Sequence, residues 1–137
     1  MSRFLNQANN NLEFHNCLCE NFNQKFYDWK IITLFYTAIH YLKALADIKG
    51  IDIGKSHYEI ENNINPNKYK PSMGLSVGAY NEYNSLLQYS RNARYEGIDT
   101  DIETYELIKK ADYVNSLRHL DNFRKYLISK GLKLELN

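Results

Sequence analysis

The chain has 137 residues and carries 17 Lys and Arg against 16 Asp and Glu, for a formal net charge of +1. That balance excludes broad nucleic-acid binding through bulk charge and leaves any phosphate contact to a local cluster of Arg or Lys. At 44% hydrophobic and 24% charged residues, residues 1–137 read as one globular domain, long enough to bury a core without disulfides or metal.

The aromatic content is dominated by 12 tyrosines, which suit half-buried positions because the ring packs while the hydroxyl keeps a polar contact. Cys17 and Cys19 stand two apart, a spacing that points them in different directions on a helix. With no second cysteine pair to complete a zinc site, they read as reduced thiols of a cytoplasmic protein, and no metal or cofactor is expected. The start, Met1 to Asn11, is polar and lacks the apolar segment of a signal peptide. The most apolar run, Ile31 to Leu42, is shorter than a membrane span and contains Thr33 and His40, so no membrane crossing is expected.

The first helix is expected from Arg3 to about Glu20, with Leu5, Ala8, Leu12, His15 and Cys19 at helical spacing. The second runs from about Phe26 to Lys49 and ends at Gly50; Trp29, Ile32, Phe35, Ile39, Leu42 and Ala46 form its core face. Ser56-His57-Tyr58-Glu59 reads as a capping box opening a short third helix that stops before Pro66. The fourth covers about Val77 to Tyr95, with Tyr80, Tyr83, Leu87 and Ser90 on one face and a turn at Gly97. The last opens at the N-cap Asp101, carries the stripe Leu107, Ala111, Val114, Leu117, Leu120, Phe123 and Leu127, and ends at Gly131 in a Schellman motif closed by Leu132. Residues 132–137 form a tail that alternates Leu with polar residues. The fold class is all-α, a bundle of four to five helices.

No phosphate loop, Walker pattern, His-Glu-x-x-His or Gly-x-Ser-x-Gly is present. The most suggestive segment is Ser90-Arg91-Asn92-Ala93-Arg94-Tyr95. Arg91 and Arg94 are neighbours on a helix surface, and Tyr95 flanks Arg91. Two guanidinium groups beside a phenol grip a phosphate. The competing reading pairs the two arginines with Glu96, Asp99, Asp101 and Glu103, at a helix C-terminus that favours cations anyway. His40, one turn from Tyr36 on a stripe with Trp29, Thr33, Lys43 and Asp47, is the acid–base candidate; its alternative is a half-buried ring bonded to Tyr or backbone. His57, in the first turn of its helix, either bonds a nearby loop or joins the arginine cluster. His15 and His119 read as surface residues.

Asp28-Trp29-Lys30, Phe35 through Tyr41, Lys49-Gly50, Ser56-His57, Tyr83, Leu86 and Ser90 through Tyr95 resemble small bacterial HEPN-like proteins, over most of the chain from about Asp28 to Tyr95. The resemblance implies a four- to five-helix HEPN-like bundle, often a homodimer, associated with RNA. It further implies a metal-independent ribonuclease, or its catalytically degenerate relative, in toxin–antitoxin or antiphage defence. Members of that family carry an Arg that holds phosphate and, a few residues on, a His that assists attack by the 2′-hydroxyl. Arg91 matches the Arg and Asn92 the polar residue after it, but Tyr95 and Glu96 stand where the His belongs. The resemblance therefore places Arg91, Arg94, Tyr95, His57 and Tyr36 on RNA or a nucleotide, with Arg91 and His40 as the catalytic candidates. The alternative is a non-enzymatic subunit that binds a partner protein or dimerises.

Overall fold

A computed structural model of the chain describes residues 2–95 and 101–134. Glu96, Gly97 and Asp99 lie outside the described residues, as does Leu136 of the tail. Five helices are described, α1 (Arg3–Asn21), α2 (Tyr27–Ile48), α3 (His57–Ile64), α4 (Val77–Tyr95) and α5 (Ile102–Ser129), with no strand among the described residues. The expected all-α bundle is the observed one.

α2 is the central element. It packs against α1, α4 and α5, and α4 packs against α5. Of its 22 residues 15 are buried, so it presents an apolar surface nearly all round, as a helix enclosed by others must. By length and hydropathy α2 is able to span a membrane, yet 72% of its most apolar window is buried inside the bundle; it is the core helix. Phe35, Leu42, Tyr83, Phe123 and Leu127 meet in the main core, and Ile31, Ile32 and Ala93 form a smaller one where α4 ends on α2. Lys30 is 1% exposed. Its ammonium donates to the Phe22 carbonyl at 2.6 Å and lies 4.6 Å from the centre of the Tyr27 ring, so the charge is sheltered by an acceptor left over at the end of α1.

The helix ends follow their local chemistry. The Ser56 hydroxyl accepts from the Glu59 amide at 3.1 Å; Glu59 then turns its carboxylate to the Ser56 hydroxyl rather than to the Ser56 amide. Asp101 accepts from the Thr104 amide at 2.9 Å. Gly131 takes φ +116°, the Leu132 amide donates to the Leu127 carbonyl at 3.0 Å, and Leu132 is buried, completing the Schellman motif.

Three expectations about facing are corrected. Trp29 is 54% exposed and lies outside the core face of α2. On α5 only Leu120, Phe123 and Leu127 of the expected stripe are buried, while Leu107, Ala111, Val114 and Leu117 are exposed. The reason is geometric: each step of three residues falls about 60° short of a turn at 3.6 residues per turn, so Val114, Leu117, Leu120 and Phe123 wind halfway round the helix. His15 and His119 are not surface residues. His15 is 6% exposed and its Nε2 accepts from the Tyr113 hydroxyl at 2.8 Å; His119 is half-buried and its Nδ1 bonds Glu82 on α4 at 2.5 Å.

Candidate functional site

The site begins at the entry to α3. The Gly54 amide donates to the Asp52 carboxylate at 2.8 Å, and Gly54 takes φ +96°, a conformation L side chains rarely adopt. A Cβ at Gly54 would fall 2.4 Å from the Glu59 Cβ, so the turn and the first turn of α3 are in close approach. Ser56 then caps the helix and fixes His57 as its first residue. The His57 ring packs 5.9 Å from the Phe35 ring of α2.

α4 supplies the cations. Ala93 is buried against Ile31 and Ile32, which turns its neighbours outward: Arg91 and Arg94 are both exposed. The Arg94 guanidinium donates to the Tyr36 hydroxyl at 3.4 Å. Arg91 lines a cavity of about 410 Å³ together with His57, Tyr58, Glu61, Tyr80 and Asn84. Four of the six residues expected at a phosphate or catalytic site, Arg91, Arg94, His57 and Tyr36, thus belong to one surface between α2, α3 and α4. The Tyr95 side chain lies outside the described residues.

The electrostatics are cationic. Burial, and then the charges of Arg91, Arg94 and Lys43, hold His57 below the ordinary histidine range, so the ring is neutral near pH 7. Asp101 is taken up by the α5 cap, where it also accepts from the Thr104 hydroxyl, and among the described residues no carboxylate pairs with Arg91. Glu61 lines the cavity, but its Oε1 accepts from the Tyr80 hydroxyl and the Asn65 amide. Burial, and then the bond to Glu61, push Tyr80 up to about 12, which keeps it a donor to that carboxylate.

The Nδ1 of His57 is buried with no hydrogen-bond partner among the described residues, which leaves Nε2 as the nitrogen able to reach a ligand. Together with the Arg91 guanidinium on the same cavity, the arrangement can hold an anion.

His40 does not line this cavity. Its Nδ1 donates to the Tyr36 carbonyl at 2.7 Å, with Asn11 of α1 3.4 Å away. Burial lowers its pKa, the bond to Tyr36 opposes that, and Lys43 adds to it. Tyr58 and Glu61, which line the cavity, had no assigned role in the sequence; Lys43, on the α2 stripe with Tyr36 and His40, lines a separate cavity with Asp47 and Gly54. Among the described residues no group of three or more His, Cys, Asp or Glu side chains is placed to hold a metal ion, and Cys17 and Cys19 are free thiols.

No protein-family model matches the chain, and comparison with curated proteins and with solved structures gives no match.

Proposed function

We propose that this chain is a HEPN-like RNA-binding domain that grips the phosphate backbone through Arg91, Arg94 and His57, and that it is a degenerate relative of the metal-independent ribonucleases. The observation that carries the reading is the convergence of His57 from α3 with Arg91 and Arg94 from α4 on one surface, with Arg91 unpaired by any described carboxylate. Clustered cations bind phosphodiesters without a large net charge, and arginine forks match phosphate oxygens. The sequence resemblance selects RNA among polyanions, and the absence of the family's His after Arg91 favours holding over cleaving. The test is fluorescence anisotropy with labelled RNA, paired with a cleavage assay in the presence of chelator, for the parent and Arg91→Ala. Binding that weakens in Arg91→Ala without cleavage is expected. Cleavage by the parent would restore the ribonuclease reading, and absence of binding would remove both.

The exposed apolar run on α5 supports a second reading, a homodimer in the same defence setting. Leu107 is 70%, Val114 59% and Leu117 39% exposed. Sedimentation of the parent and Val114→Glu decides it: a dimer lost in the variant supports the reading, and a monomeric parent ends it.

A further inference from the structure

Another cavity lies where α1 begins and α2 stops. It holds about 360 Å³, within the range of small-molecule sites, and shares no lining residue with the cavity of His57 and Arg91. Ala46 of α2 and Ile53 of the connection to α3 are buried and give it an apolar lining. The Ile51 amide donates to the Ala46 carbonyl at 2.9 Å, which ties that connection across the end of α2.

The charges around this lining do not neutralise one another. The Arg3 guanidinium lies 4.7 Å from the centre of the Phe4 ring and the Lys43 ammonium 5.9 Å from the same centre, so two cations converge on one ring; Lys55 adds a third to the lining. Asp47 follows Lys43 by one turn of α2 and lines the cavity with it. Yet among the described residues Arg3, Lys43 and Asp47 form no ion pair. Arg3 opens α1 and Asp47 stands in the last turn of α2, and the helix dipole disfavours a cation at the first place and an anion at the second. Neither placement helps the fold, but each reinforces the field inside the cavity: positive at Arg3 and Lys43, negative at Asp47. Asp52, whose carboxylate accepts from the Gly54 amide at 2.8 Å, adds a second anion. We infer that this cavity binds a small zwitterion, an α-amino acid with an apolar side chain. Its carboxylate meets Arg3 and Lys43, its ammonium meets Asp47, and its side chain lies against Ala46 and Ile53.

The test titrates the full chain, followed by NMR, with L-leucine, L-isoleucine, L-methionine and L-phenylalanine in turn. Each is compared with its N-acetyl derivative, which keeps the carboxylate and loses the ammonium charge, and with its amide, which keeps the ammonium and loses the carboxylate. At least one free amino acid should bind, about tenfold more tightly than either derivative, the loss expected for one charged hydrogen bond. Asp47→Asn should shrink the preference over the N-acetyl derivative, and Arg3→Gln the preference over the amide. Both residues are exposed, and an unchanged urea midpoint verifies the fold; the comparison of derivatives on the parent stands without either variant. Equal binding of a free amino acid and its N-acetyl derivative would overturn the inference in favour of a plain anion site. Silence with all four amino acids, or preferences unmoved by Asp47→Asn and Arg3→Gln, would overturn it too. Because the two cavities share no residue, RNA binding by anisotropy stands or fails separately.

Discussion

Removing Arg91 should change how RNA binding responds to salt, and by a calculable amount. Arg91 and Arg94 are the cations on the surface of His57 and Tyr36, while His57 itself, held below the ordinary histidine range, releases no counterion near pH 7. Two phosphate-neutralising cations on a single-stranded RNA give a slope of log K against log salt of about −1.4, so a fourfold rise in salt weakens binding about sevenfold. Arg91→Ala leaves one cation and a slope of about −0.7, for a loss of about threefold over the same range. Anisotropy titrations at four or so salt concentrations measure both slopes. A parent slope near zero would show that no phosphate is held. A slope unchanged in Arg91→Ala would show that the phosphates bind elsewhere, whatever the loss of affinity at one salt.

Two further predictions concern the α3 entry. As pH falls through the depressed pKa of His57, the imidazolium adds a cation, so RNA binding tightens and its salt slope steepens; His57→Asn abolishes both, and parallel pH profiles for parent and variant would refute the assignment. Without RNA the sign is opposite for folding: the unfolded chain protonates first, so the contribution of His57 to stability is fully present above the ordinary value of 6.5 and is lost as pH falls through the folded value. Gly54→Ala places a Cβ 2.4 Å from the Glu59 Cβ at φ +96°, and strain of this kind costs about 1–3 kcal/mol. Urea unfolding should show that loss and anisotropy a weaker RNA complex, since the turn carries His57; a variant with parent stability would refute the close approach.

The helix ends were legible in the sequence because each rests on a local rule. Ser56 and Asp101 cap through their own side chains, and Gly131 ends α5 through its positive φ. Facing was less legible. The apolar residues of α5 satisfy helical spacing pair by pair, yet repeated steps of three rotate the stripe, and only tertiary packing decides which half is covered. His15 resembled a surface residue because its partner, Tyr113, comes from the far end of the chain.

The site divides along the same line. Arg91 and Arg94 were visible as a pair because three residues on a helix make neighbours of them. The histidine that joins them was legible only as one of two alternatives, since it arrives on a different helix whose placement depends on the Gly54 turn and on packing against Phe35. His40 lay closer to a motif in sequence terms, but its Nδ1 proton goes to the carbonyl four residues back, a bond any helical histidine can form at the expense of a reactive role. His57 reaches the cations by tertiary packing, and the same packing buries its Nδ1 without a partner among the described residues. With Tyr95 and Glu96 standing where the family's His belongs and His40 held by a carbonyl of its own helix, the arginines keep a hold on phosphate without the base that the family's motif supplies, which is why phosphate binding and absence of cleavage are expected together rather than as separate losses.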